Sequence, residues 1–599
     1  MTRTGNRPQT AGRDAATLEV VKNALDTVAD EMALILVRTA HSPIVRDSMD
    51  FSTALCDAGG ANIAQGLTTP MHLGSFWDAM SHLIGRFSGA IDPGDVFIGN
   101  DPYLAQGQHL PDIYVVKPVF AGTQRIGWAA TIAHHVDVGG IVPGSNSIGA
   151  TEIYQEGLRL PFVKWFRAGR EDSQIREIIA ANVRVPELVI GDLRAQVAAC
   201  RAGEQGLQAL AKTYGSDELA RLQHELHEYA ERLSRAAIAR IPDGVYRARH
   251  FIDGLGTDPT PIVFQVAIRK SGDEVEVDWE GTSAQVEGGI NAPLSFTKSN
   301  VYAALRSIMP VDMPNAHGYT RPIRVSAAAG LIVNCVLPAP CGARGITGYR
   351  IVDCVFGALA QALPDEIAAD GAGGSTLPTF SGRGEQGPFV FSECVMGTWG
   401  ATSGHDGQEG VPHMASNQSN IPIEQIEQSY PIRIERYGFV PDSGGAGRFR
   451  GGLSLVREYR VEADVLFSVR ADKHAHRPFG LFGGRSGGAA SNVLVKQDGE
   501  QPWPMLPLAP TRLRKGERFV HTMAGGGGFG TPGSRDPALV LEDVLEGKVT
   551  PRHALDVYGV VLVGAGEELC VDEAATQMKR SSLEQRTDES VALPAEYRV

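Results

Sequence analysis

The chain has 599 residues, a formal net charge of −14, and 43% hydrophobic against 21% charged residues. That length can bury a large core and implies more than one domain or subdomain. The acidic balance, with no cluster of Lys and Arg, argues against a nucleic-acid partner, and no apolar run approaches the roughly 18 residues that span a bilayer.

Residues 1–15 read as a disordered tail, because Met1 to Asp14 are polar and lack the apolar stretch of a secretory signal. Residues 16–240 read as a helical region carrying one hairpin. Leu18, Val21, Leu25, Val28, Met32 and Leu36 recur at three- and four-residue spacing, which predicts an amphipathic helix. A second helix is expected from Gly74 to Arg86. The hairpin follows: Ile113 to Phe120 is rich in β-branched and aromatic residues, Ala121-Gly-Thr-Gln124 is turn chemistry, and Arg125 to Ile132 is apolar again.

A turn centred near Gly122-Thr123 sets Asp112 opposite His134, and directly opposed Cβ atoms lie roughly 5 Å apart. His109, on the incoming loop, can close a third side. Two imidazoles and one carboxylate leave open positions, as a catalytic divalent metal requires and a structural one avoids. Zn and Mn both suit such a mixed N/O site. Strand alternation sends His134 and His135 to opposite faces, and the pattern leaves open which one turns inward.

From Asp192 the chain is expected to be helical again for about 45 residues. Leu219, Leu222, Leu226, Tyr229 and Leu233 form a seam behind an expected N-cap at Ser216, read as a helical hairpin packed on its own domain rather than a docking helix. Residues 241–570 read as β-rich. Ile262 to Ile268 and Glu274 to Trp279 flank Ser271-Gly-Asp273, a hairpin signal. The 70 glycines exceed the usual ~7%, so much backbone sits in turns or close contacts. Ala524 to Gly530 lacks the lysine of a phosphate loop, and no G-x-x-x-x-G-K-[ST] occurs. It reads as turns and packing. Residues 571–599 read as a polar, loosely held tail. The seven cysteines form no C-x-x-C pair and are odd in number, which fits small buried hydrophobes in a reducing cytoplasm.

An ordered series of phrases spans nearly the whole chain: Asp50-Phe-Ser52, Pro70-Met-His-Leu-Gly74, Gly99-Asn-Asp-Pro-Tyr103, His109-Leu-Pro-Asp112, His134 with Asp137-Val-Gly-Gly140, Tyr154-Gln-Glu-Gly157, Tyr430-Pro431, Asp442-Ser-Gly-Gly-Ala-Gly447, Arg450-Gly-Gly452 and Pro478-Phe-Gly480. On these the chain resembles the hydantoinase B / 5-oxoprolinase family, related to acetone and acetophenone carboxylase subunits. The resemblance implies a mixed, multi-subdomain α+β fold. It also implies the B-type subunit of an ATP-dependent cyclic-amide hydrolase, partnered in a hetero-oligomer by an A-type, actin-like subunit that binds ATP and phosphorylates the substrate.

The family's metal ligands fall on His109, Asp112 and His134. Asp137 is a candidate orienting residue or general base, equally readable as a turn residue before Gly139-Gly140. Asp50, His72 and Glu156 are further catalytic candidates, with buried hydrogen bonding as the plainer role. Arg450 can contact phosphate or form an internal salt bridge. Alternatives are a ketone carboxylase subunit, a noncatalytic structural subunit and, because two His and one carboxylate also serve Fe(II), a non-haem oxygenase.

Overall fold

The computed structural model describes residues 10–66, 69–72, 74–373, 376–385, 387–581 and 591–599, so residues 1–9 of the expected N-terminal tail lie outside it. Helices and several sheets are mixed, as expected for α+β.

The first sheet holds β1 (Phe51–Cys56), β2 (Asn62–Gln65), β3 (Val96–Gly99), β4 (Asp112–Ala121), β5 (Gln124–His134), β6 (Val163–Arg167) and β7 (Arg170–Glu171). They run antiparallel in the order β2-β1-β5-β4-β3-β6-β7, which puts the β4–β5 hairpin at the centre. The surrounding helices are α1 (Thr10–Thr39), α2 (Pro43–Arg46), α3 (Ser75–Arg86), α4 (Ser173–Asn182), α5 (Pro186–Tyr214) and α6 (Ser216–Ala239).

Strand alternation divides the hairpin between two cores. Ile113, Val115, Ala129 and Ala133 pack with Met32 of α1 and Leu193, Cys200 and Leu207 of α5. Tyr114, Val116, Trp128, Ala130 and Ile132 pack with Phe76, Met80 and Leu83 of α3. Both faces are covered, which is why the hairpin reads apolar at nearly every position. Each fully buried large aliphatic contributes about 1.5–3 kcal/mol relative to exposure.

The turn falls where expected, with Gly122 at φ 61°. The ladder runs from Ala121 opposite Gln124 to Asp112 opposite His134, through one bulge at Val119/Phe120. The helical pair α5–α6 also forms, with Leu219, Leu222 and Leu226 buried within the chain. The expected cap differs: Gly215, at φ 87°, is the N-cap, and Ser216 is already the first helical residue. A single glycine joins the two helices, leaving no residue between them for a serine cap.

The second sheet contains β8 (Gly244–Ile252), β9 (Ile262–Ser271), β10 (Glu274–Asp278) and β11 (Ile323–Ser326), with the expected β9–β10 hairpin turning through Gly272 at φ 61°. Helix α7 (Leu294–Arg306) packs on α8 (Gly345–Leu359), which lies on β8 and β9.

Beyond these come β12 (Leu377–Gly384), β13 (Gly387–Ser392), α9 (Ile423–Ser429), β14 (Ile432–Val440), β15 (Ser454–Val461), β16 (Val465–Arg470), β17 (Ser491–Lys496), β18 (Gly499–Pro502), β19 (Thr511–Leu513) and β20 (Arg518–Thr522). They build two sheets, β13-β12-β16-β19 and β14-β15-β20-β17-β18. Phe380, Phe391, Tyr459, Phe467 and Phe519 join both sheets in one aromatic core.

The glycine run is a packing point. The amides of Gly525, Gly526, Gly527 and Gly528 donate to Gly488, Gly452, Asp370 and Arg485 carbonyls, so none is free for a phosphate. A Cβ on Gly527 would stand 2.0 Å from the Phe479 carbonyl oxygen.

Of the expected C-terminal tail, residues 571–581 and 591–599 are described, and both pieces pack on the rest of the chain. Helix α10 (Pro537–Leu545), α11 (Pro551–Val557) and α12 (Glu573–Ser581) precede Tyr597, which is fully buried against His250, Phe251 and Phe479 and donates its hydroxyl to the Arg477 carbonyl. Composition marked the segment as polar, yet Leu593 is buried beside this anchor and Arg580 of α12 donates to the Tyr558 and Arg535 carbonyls. Residues 582–590 lie outside the described residues. Among the described residues, no helix is long and apolar enough to cross a membrane.

Candidate metal centre

Asp112 opens β4 and His134 closes β5, so the hairpin's open end carries both, while His109 comes from the loop between β3 and β4. Two side chains fix that loop. Asn100 donates to the Leu110 and Leu158 carbonyls and accepts from the Leu160 amide, and Asp101 accepts from the Tyr103 and Leu104 amides. This explains the phrase Gly99-Asn-Asp-Pro-Tyr103 as a loop brace.

The three ligand atoms converge. His109 Nε2 lies 2.9 Å from Asp112 Oδ1 and 3.2 Å from His134 Nδ1, which is 3.3 Å from Asp112 Oδ1. All three side chains are buried. With metal–ligand bonds near 2.1 Å, adjacent ligand atoms on a tetrahedral or octahedral ion stand about 3.0–3.4 Å apart.

The protonation pattern fits a cation as well. His109 Nδ1 donates to the Gly342 carbonyl at 2.8 Å. Burial pushes this imidazole down to about 3, helped by the Arg344 charge and opposed by Asp112. The neutral ring therefore turns an Nε2 lone pair toward a carboxylate oxygen, two acceptors face to face that a cation between them reconciles. Burial alone would raise the Asp112 carboxyl, but the Arg344 guanidinium beside it holds it well below the usual carboxylate range.

Strand alternation resolves the neighbouring pair. His134 faces the cluster, whereas His135 turns to α5, where its Nε2 donates to Gln196 Oε1 at 3.0 Å.

Two of the other candidates lie beside the cluster. Asp50 Oδ2 is 3.8 Å from His134 Nδ1, and its backbone oxygen accepts the His134 amide. The preceding Met49 sits at φ 56°, a conformation rare for a side-chain-bearing residue. His72 Nε2 is 3.5 Å from Asp112 Oδ2, and its Nδ1 is 2.9 Å from Ser52 Oγ.

Two others stand apart from the ligand atoms. Asp137 accepts from the Gly139, Gly144 and Arg184 amides and from the Arg184 guanidinium. Glu156 accepts from the Cys341 and Gly342 amides at 3.0 and 2.6 Å, on the loop whose Gly342 carbonyl orients His109. Burial pushes Glu156 up to about 8 against those two donors. Arg450 is tied to Glu409 and Asp543 in an internal ion pair.

Arg344 escaped the sequence reading. It precedes α8, more than two hundred residues downstream, and an arginine after Cys341-Gly-Ala carries no local signal. Its Nη2 donates to Asp112 Oδ2 and to Gln108 Oε1. A second cluster, His250, Asp353 and Asp370, also has metal-ligating composition. There Lys473 Nζ donates to Asp353 and to both oxygens of Asp370, so an internal ammonium already supplies the positive charge.

The Hydantoinase B/oxoprolinase family description matches residues 14–532. The caprolactamase subunit beta of Pseudomonas jessenii is 35% identical over 595 residues, covering 95% of this chain and 99% of that one. Among solved structures, a chain of the ATP-dependent caprolactamase from Pseudomonas jessenii matches with TM-score 0.88 and 31% identity, over 95% of this chain and 99% of its own. A chain of acetone carboxylase in its nucleotide-free form matches with TM-score 0.89 over 96% of this chain and 83% of its own; at 20% identity that likeness speaks for the fold alone.

Proposed function

The chain belongs to the hydantoinase B/oxoprolinase family, and on that premise we propose that it is the B-type subunit of an ATP-dependent cyclic-amide hydrolase. Its substrate class is the hydantoins, 5-oxoproline-like lactams and related rings. An A-type partner with an actin-like fold binds ATP and phosphorylates the substrate's carbonyl or enolate oxygen, and this chain opens the ring. The subunit naming of the caprolactamase relative supports a partnered complex. The observation that carries the reading is the triangle of His109 Nε2, Asp112 Oδ1 and His134 Nδ1, buried and 2.9 to 3.3 Å from one another.

A lactam carbonyl is resonance-stabilised and a poor electrophile. Phosphorylating its oxygen removes that stabilisation and creates a leaving group. His109, Asp112 and His134 hold a divalent cation, Zn or Mn, with Asp50 as the adjoining carboxylate. When bound, such an ion acidifies water and polarises a substrate oxygen. Gly342 keeps His109 in the tautomer that presents Nε2. His72, braced by Ser52, and Asp50 are placed to accept or return a proton beside the cluster. Asp137 and Glu156 act by holding the loops that frame it.

ATP turnover of the assembled complex tests the reading. Stimulation by 5-oxoproline, a hydantoin or caprolactam is the expected result. Stimulation only by a ketone with bicarbonate would assign the carboxylase branch instead. Unchanged turnover in His109→Ala, Asp112→Ala and His134→Ala complexes would assign a structural subunit.

A further inference from the structure

We propose that Arg344 is a positioning residue of the metal centre, holding Asp112 by Oδ2 so that Oδ1 alone is presented to the cation. The inference rests on the cation reading above and assigns the residue that sets how the carboxylate binds.

Two observations carry it. First, the two oxygens of Asp112 have separate tasks. Oδ1 faces His109 Nε2 and His134 Nδ1, whereas Oδ2 takes the Arg344 guanidinium and has His72 Nε2 at 3.5 Å. A carboxylate with one oxygen in a charge-assisted hydrogen bond is steered to bind an ion through the other.

Second, the guanidinium is itself locked. Its Cζ lies over the Phe296 ring, 4.3 Å from the centroid. Nη2 also donates to Gln108 Oε1 at 2.8 Å, while Gln108 donates to Ser75 Oγ at 2.7 Å, which in turn accepts the Tyr114 hydroxyl at 2.8 Å. Asp112, Arg344, Gln108, Ser75 and Tyr114 thus form one buried polar chain, anchored in β4, α3 and the start of α8. A lysine, with a single point charge on a flexible stem, does not reproduce the delocalised cation held over Phe296.

On this arrangement the fixed positive charge would draw electron density from the carboxylate and so raise the electrophilicity of an ion held there.

Titrating the purified full-length chain with Mn²⁺ alone, followed by electron paramagnetic resonance, tests this. Wild type is expected to take up one ion per chain. Arg344→Met is expected to bind 10–100-fold more weakly, the usual scale for losing a partner of a metal ligand, with an altered spectrum of the bound ion. Arg344→Lys, which keeps the charge, is expected to recover part of the affinity but not the wild-type spectrum.

A folded Arg344→Met chain that binds Mn²⁺ with wild-type affinity and an identical spectrum overturns the proposal and leaves an ordinary buried ion pair. If Arg344→Met does not fold, Arg344→Lys decides by the same criterion: wild-type affinity and spectrum overturn it. Failure of wild type to bind either Mn²⁺ or Zn²⁺ refutes instead the cation reading beneath it.

Discussion

Asp112 and His134 are direct partners at the open end of the β4–β5 ladder, and their side chains meet with Nδ1 3.3 Å from Oδ1. A local rule, the pairing register of one hairpin, thereby places two groups of the candidate centre. His109 and Arg344 are added from elsewhere in the chain.

Replacing Asp112 by Ala has two expected effects. Metal analysis should fall from about one divalent ion per chain to none. Stability should also drop by about 3–5 kcal/mol, because Arg344 is left as a buried charge without its carboxylate. Combining Asp112→Leu with Arg344→Met should restore most of the stability and none of the metal, as read by chemical denaturation and elemental analysis.

The two adjacent histidines should separate cleanly. His134→Ala is expected to abolish metal uptake. His135→Ala is expected to retain it and to cost about 1–3 kcal/mol, because its hydrogen bond to the buried Gln196 is lost. Equal metal loss in both variants would contradict the placement of His135 against α5.

The Asp253–His476 pair predicts a bell-shaped pH dependence of stability around the β8 region. Burial would raise Asp253, but His476 and the amides of His474, Ala475 and His476 hold it below the usual carboxylate range. Its contribution is present above pH ~4 and fades as pH falls through the depressed value. The hydrogen bond to Asp253 raises His476, against partial burial. Its contribution is therefore full below about pH 6.5 and fades as pH rises through the raised value. Asp253→Asn should flatten both limbs in urea titrations run from pH 3 to 9.

Gly527→Ala should lower stability by about 3 kcal/mol or prevent soluble expression, since its Cβ would meet the Phe479 carbonyl and the surrounding glycine backbones have no side chain to give way. A phosphate-binding role would instead leave the fold intact and change only ligand affinity. Thermal melting of the variant distinguishes the two.

Much of the fold was legible where its determinants are local. The helix from Leu18 to Leu36 and the hairpins at Gly122 and Gly272 were readable because side-chain periodicity and turn chemistry act within a few residues. The expected cap at Ser216 was displaced by Gly215, since the linker proved one residue long. Tyr597 docks although its surroundings are polar, a contact with β8 and the Pro478-Phe-Gly480 loop that no nearby pattern announces.

By itself the sequence determined the hairpin register, and with it the facing of Asp112 and His134, because an antiparallel ladder closed by a tight turn admits one pairing that buries both apolar faces. Tertiary structure alone decided that His134 and not His135 joins the cluster, that Gly342 orients His109, and that Arg344 grips Asp112. Those choices depend on which helix covers which face and on contacts across more than two hundred residues, and short-range spacing carries no information about either.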